Sequence, residues 1–328
     1  MFVSFAIRAL LSLFAFAGLA AIVLGAMLAV PLTRPPTLAS IQQGAMKIDA
    51  SDMPALSRFQ ARDGTWLAYR LYPAADGTKD RLAILAHGSS ASSEEMNPAA
   101  KALAAAGVTA VAIDARGHGA SGARGDIGYV GQLEDDLADL VQHLSRDYAE
   151  AHFQLIGHSL GGGFVARIAA TPVGAKFERF VLLSPFLGSR APTSGAGNQA
   201  WASVDLPRII ALGILSRFGV TLGQSLPVIA YANDPAAAKY VTPVYSFRLL
   251  ADYGPDFDWA KTQAAIRAAA PKVKVIAGAD DELMNAAVYA PQLTPLGADV
   301  KIVPGVDHMG VVHQPAALAA LVEIAKAP

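Results

Sequence analysis

The chemistry of this chain centres on Gly157-His158-Ser159-Leu160-Gly161. The pentapeptide follows the apolar run Phe153–Ile156 and precedes a helix-like stretch from Gly162. A serine flanked by glycines between a strand and a helix sits on a turn too tight for side chains at Gly157 and Gly161. That turn leaves the Ser159 hydroxyl exposed at the strand's end. The helix that follows aims its first N–H groups at the same spot, where they stabilise developing negative charge. These parts suit acyl transfer.

A serine hydroxyl is a poor nucleophile at neutral pH and needs an adjacent base. His308, in Pro304-Gly305-Val306-Asp307-His308-Met309-Gly310, follows the last apolar run and is the candidate. His313 is its competitor, expected to face solvent at the start of the final helix. The imidazole in turn needs a carboxylate to set its tautomer. Gly278-Ala279-Asp280-Asp281-Glu282-Leu283 offers three, of which Asp281 is favoured over Asp280 and Glu282. Oxyanion donors are expected from the Leu160 N–H and from the loop His87-Gly88-Ser89-Ser90, with Ser89 N–H the choice there. His87 itself reads as structural. This chemistry calls for no metal and no organic cofactor.

Elements that could position these residues recur along the chain. Trp66–Tyr72 alternates as a half-buried strand. Leu82–Ala86, Val108–Ile113, Phe153–Ile156, Phe180–Leu183, Val273–Ala277 and Val300–Val303 are short apolar runs of the kind buried in parallel sheets. Pro98–Ala106 reads as a helix between an Asn97 cap and Gly107. Leu133, Leu137, Leu140, Val141 and Leu144 mark a second, and Leu318, Leu321, Val322 and Ala325 a terminal one. The alternation implies a doubly wound α/β sheet. The rhythm fails between about 187 and 270, where Pro207–Phe218 and later pieces suggest an inserted helical cap.

With these motifs in order, the chain resembles the α/β-hydrolase superfamily, in its serine-aminopeptidase and monoglyceride-lipase-like branch. His87-Gly88, Gly157–Gly161, Gly278…Asp281 and Gly305…His308 carry the resemblance, in the superfamily's Ser…Asp…His order. Asp114-Ala115-Arg116-Gly117-His118-Gly119-Ala120-Ser121-Gly122 is similar to its D-x-R-G-x-G-x-S loop. The resemblance implies a structural role for Asp114, Arg116 and His118. It implies an α/β-hydrolase fold, a mostly parallel sheet with the cap inserted, over residues 55–328. The oxyanion loop departs from the HGGG of many lipases, so lipase activity does not follow from that motif.

Composition narrows the function. Net charge is −1 and the basic residues are scattered, which argues against a nucleic-acid partner. There is no cysteine, so disulfides and thiolate chemistry are excluded. Ala9–Val30 is almost wholly apolar. At about 1.5 Å per residue it spans roughly 33 Å, enough to cross a bilayer. Residues 1–33 therefore read as one transmembrane anchor, with a cleaved signal sequence as the alternative, and 34–54 as a linker. Arg8 before the run favours N-inside, with the main domain extracytoplasmic, periplasmic in a bacterium. The expected activity is serine hydrolysis of a carboxylic ester, from a small molecule or a lipid such as a lysophospholipid or monoacylglycerol. An aminopeptidase could use Asp252, Asp256 and Asp258 to hold a free amine. A thioesterase would use the same residues, and a non-catalytic binding module would not need them intact.

Overall fold

The computed structural model describes residues 2–49, 51–237 and 241–327. The chain begins with the long helix α1 (Phe2–Leu28) and the short α2 (Ala39–Met46). Six strands follow: β1 (Ser57–Gln60), β2 (Trp66–Tyr72), β3 (Arg81–Ala86), β4 (Thr109–Ile113), β5 (His152–His158) and β6 (Arg179–Leu183). Between them lie α3 (Asn97–Ala105), α4 (Gln132–Leu144) and α5 (Leu160–Ile168). After β6 come α6 (Asn198–Trp201), β7 (Ala202–Val204), α7 (Leu206–Arg217), β8 (Pro227–Tyr231), β9 (Val244–Ser246), α8 (Phe247–Asp252) and α9 (Trp259–Ala269). The chain closes with β10 (Val273–Gly278), α10 (Tyr289–Leu293), β11 (Asp299–Val303) and α11 (Pro315–Lys326).

Among the described residues, eight strands form the main sheet in the order β1-β2-β4-β3-β5-β6-β10-β11. The pairings from β4 through β11 are parallel, and β2 runs antiparallel to both β1 and β4. The apolar runs explain the parallel part. In β3, Leu82, Ile84 and Ala86 pack in one core with α4 and α5, while Ala83 and Leu85 pack in another with α3 and α11. A strand covered on both faces has no polar side, so it reads as an unbroken apolar run.

Register brings the candidate site together. Ala86 pairs with Ile113 and Gly157, His158 with Leu183, and Gly278 with Val303. The turns after β3, β5, β10 and β11 therefore leave from one edge of the sheet, where open α/β folds hold ligands.

The loop after β4 is structural. Asp114 accepts Ser93 N and Ala120 N, each at 2.8 Å. Arg116 is buried and pairs with Asp136 at 2.7 Å and Asp63 at 2.9 Å. Burial lowers the His118 pKa well below its ordinary value, so its neutral ring can accept the Tyr245 hydroxyl at 2.6 Å.

Three readings need correction. The insertion between β6 and β10 is not wholly helical, because β7, β8 and β9 form an antiparallel sheet. Val228, Ile229, Tyr231, Val244 and Tyr245 are strand formers in runs too short to show a period. The stretch 34–54 is not a free tether. Its helix α2 packs on the domain, with Ile41 and Gly44 buried. Strand β1 had no counterpart in the sequence reading, since Ser57–Gln60 holds one apolar residue, Phe59.

Candidate active site

Ser159 occupies the turn between β5 and α5 with φ 51° and ψ −116°. Its N–H donates to Leu183 O at 2.9 Å, and its carbonyl accepts Gly163 N at 3.1 Å and Phe186 N at 2.9 Å. These bonds hold a backbone conformation that costs about 1–3 kcal/mol. Ser90 (φ 69°) and Ser184 (φ 40°) are the other non-glycine residues with positive φ among the described residues. They follow β3 and β6, so this backbone strain is confined to one edge of the sheet.

The structure brings Ser159, His308 and Asp281 into contact. Ser159 Oγ lies 3.0 Å from His308 Nε2. His308 Nδ1 lies 3.0 and 2.9 Å from the two carboxylate oxygens of Asp281. Asp281 Oδ1 also accepts Leu283 N at 2.9 Å and Met284 N at 2.8 Å. Burial works against charge on both partners, but their mutual attraction and hydrogen bond outweigh it. The His308 pKa is raised and that of Asp281 lowered. The neighbouring carboxylates are used otherwise. Asp280 is exposed. Glu282 accepts the His308 backbone N–H at 3.0 Å. His313 is half-buried rather than solvent-facing, its Nε2 shielded and unpartnered, because the turn at Gly310–Val312 folds it inward.

Among the described residues, no acceptor bonds the N–H of Ser89 or Leu160. The next amide in the loop, Ser90 N, already donates to Tyr245 Oη at 2.6 Å. Tyr253 donates to His87 O at 2.6 Å, so two cap tyrosines hold the loop. His87 is fully buried, accepts Ala115 N at 3.3 Å, and has its pKa lowered by burial.

Sequence reasoning missed a second buried pair. His158 Nδ1 contacts Glu95 Oε1, and His158 Nε2 lies 3.1 Å from His308 O. Burial would raise the Glu95 pKa, but the facing His158 holds it below its ordinary value. Glu95 Oε1 also accepts Gly88 N at 3.0 Å. One pair thus braces the loop carrying Ser89 against the loop carrying His308. The signal was present, since His158 is the variable residue of the serine motif, but Glu95 lies far from it in sequence.

Two spaces meet at Ser159. One, of about 320 Å³, is lined by apolar residues including Leu160, Phe186, Val204, Ile229 and Leu250. The other, of about 90 Å³, contains His308, Met309, Ile41 and Ala45. Trp201 stands between them and donates its indole N–H to Ser89 Oγ at 2.8 Å.

Strand order, strained serine turn and the Ser159–His308–Asp281 contacts define an α/β-hydrolase. Residues 77–309 match the family described as serine aminopeptidase, S33, and the chain belongs to that family. Rat (Rattus norvegicus) monoglyceride lipase is 28% identical over 155 residues, covering 46% of this chain and 49% of the rat protein. Mycolicibacterium smegmatis monoacylglycerol lipase is 31% identical over 105 residues, covering 32% of this chain and 37% of the relative. The chain thus spans about half of the rat protein's length and less of the mycobacterial one. A soluble variant of Saccharomyces cerevisiae monoglyceride lipase, solved with a substrate analog, superposes with TM-score 0.58 at 17% identity. It covers 85% of this chain and 96% of its own. Est1E from Butyrivibrio proteoclasticus, solved with ferulic acid, gives TM-score 0.55 at 17% identity, covering 81% and 96%. At such identities these structures support the shared fold.

Two outcomes follow. The His308 imidazole should titrate above pH 6.5 in NMR of the histidine-labelled protein, and Asp281→Asn should move that titration down. An unmoved midpoint would show that Asp281 does not set it. Glu95→Gln should cost about 3–5 kcal/mol, as expected for one partner removed from a buried pair. The check is the urea midpoint of the detergent-solubilised protein; an unchanged value contradicts the brace.

Proposed function

We propose that the chain is a membrane-anchored serine hydrolase that cleaves carboxylic esters of lipid acyl chains through an acyl-enzyme. One observation carries the reading. Ser159 Oγ is 3.0 Å from His308 Nε2, at the mouth of an apolar cavity of about 320 Å³. In this reading Ser159 Oγ attacks the ester carbonyl while His308 takes its proton. Asp281 orients the imidazole and stabilises its charged form. The N–H groups of Leu160 and Ser89 receive the oxyanion. His308 then protonates the leaving alcohol and later activates water to release the acid.

The similarity to monoglyceride and monoacylglycerol lipases supports a lipid ester. The acids that an aminopeptidase could use are engaged elsewhere. Asp252 accepts Gly131 N and Leu133 N and pairs with Arg167. Asp258 caps α9, and Asp256 accepts Asp258 N and pairs with Lys261. Among the described residues, no carboxylate lines the larger cavity, where a substrate's free amine would sit.

The membrane anchor is supported by the 19-residue apolar stretch Leu10–Leu28, none of it buried in the fold. Helix α7 packs beside α1, and Arg208 bonds the carbonyls of Leu28 and Val30. Leu206, Ile210 and Ile214 lie along one exposed stripe of α7, so an apolar face adjoins the anchor. We assign the hydrolase unit to the extracytoplasmic side, following Arg8 ahead of the apolar stretch.

Ser159→Ala should lower kcat/KM for a long-chain ester by about 10⁴–10⁶. Asp281→Asn should lower kcat by about 10⁴, and Asp280→Asn should change little. A larger loss at Asp280 would contradict the assignment of the orienting carboxylate. The protein should also stay in the membrane pellet after alkaline carbonate extraction and retain its N-terminal segment. Release into the supernatant, or a mature start beyond residue 25, would overturn the anchor.

A further inference from the structure

The segment between α1 and β1 lies outside the family match, which begins at residue 77. It nevertheless reaches the site. Leu38 N donates to Ala232 O at 3.0 Å, and Gln42 Nε2 donates to Asp234 Oδ2 at 2.6 Å. Further on, Asn97 Nδ2 donates to Asp49 O. The segment thus runs across the cap and down onto the sheet domain. Between those ties, α2 lies against the residue that follows His308. A Cβ added at Gly44 would come 2.6 Å from Met309 Cβ.

We propose that α2 builds the binding site for the leaving alcohol. This rests on the serine-hydrolase reading above and goes further than it. His308 Nε2 must give its proton to the leaving oxygen, so the alcohol occupies the space that His308 lines. That space is the smaller one, which contains His308 but none of the acyl cavity's apolar lining beyond Trp201. Ile41 and Ala45 form its wall, and both continue into an outer vestibule of about 420 Å³ that adds Gln42 and Asp234. The described lining contains the carboxylates of Glu95 and Asp234 and no lysine or arginine. An uncharged alcohol carrying further hydroxyls fits: Asp234 holds the Gln42 amide nitrogen, leaving the Gln42 carbonyl oxygen to accept a hydroxyl.

The step balances without another reactant. The Ser159 Oγ–acyl bond forms and the acyl–oxygen bond of the ester breaks. The Ser159 proton passes through His308 Nε2 to the departing oxygen, which leaves as a neutral alcohol.

The test uses the full-length protein in detergent with one fatty acid esterified to methanol or to glycerol. Ile41→Trp should lower kcat/KM for the glyceryl ester about tenfold relative to the methyl ester. Gln42→Ala, which leaves the helix–Met309 contact alone, should shift the same ratio in the same direction. The chain-length profile on methyl esters should not move. Equal losses on methyl and glyceryl esters, or a changed chain-length profile, would overturn the proposal. Absence of Ser159-dependent hydrolysis in wild type would instead overturn the serine-hydrolase reading. Hydrolysis that persists with an unaltered alcohol ratio in both variants overturns the role of α2 alone.

Discussion

Around Ser159 the backbone is packed so closely that only hydrogen atoms fit at two positions. A methyl group at Gly157 would come within 2.2 Å of Gly161 O, and one at Gly161 within 2.3 Å of His87 O. That second contact presses the start of α5 against the loop after β3. Leu160 N and Ser89 N, which no acceptor bonds among the described residues, come from these two segments. Their nearness is a consequence of the crossing, and the crossing requires glycine.

A strained turn of this kind holds only if its surroundings over-determine it. Here the support comes from three directions. Strand β6 takes the Ser159 N–H, and α5 and the loop after β6 donate to its carbonyl. The Glu95–His158 pair joins Gly88 N to His308 O through one buried imidazole. Tyr245 and Tyr253 hold the same loop from the cap side. Cap, sheet and the loops carrying Ser89 and His308 are thereby one hydrogen-bonded unit.

Much of this was legible in the sequence, for a physical reason. Buried parallel strands write themselves as apolar runs, and Leu82–Ala86 or Phe180–Leu183 could be placed to within a residue or two. The serine, histidine and carboxylate each stand directly after such a run, so their convergence follows from the strand edge. Asp281 is favoured in the sequence for its place three residues past Gly278, and it is the one of the pair that contacts His308. The rest depended on distant partners. Val228 and Tyr245 belong to strands only because β7, β8 and β9 meet. Glu95 matters only because it reaches His158. The packing of α2 depends on Met309, far along the chain, so residues 34–54 read in the sequence as a linker.

The site sits between a largely apolar cavity lined by Leu160, Phe186, Val204, Ile229 and Leu250 and a chamber walled by α2 whose described lining carries Glu95 and Asp234. That asymmetry suits the proposed ester, with its apolar acyl part and polar alcohol, and the proposed anchor would hold the chain where such esters partition. All of it depends on Ser159 being the activated nucleophile. The direct measurement is to treat the full-length protein with a fluorophosphonate and map the adduct by tandem mass spectrometry. Stoichiometric labelling confined to Ser159, lost in His308→Ala, is the outcome the account predicts. An unlabelled protein, or an adduct on another residue, would contradict it.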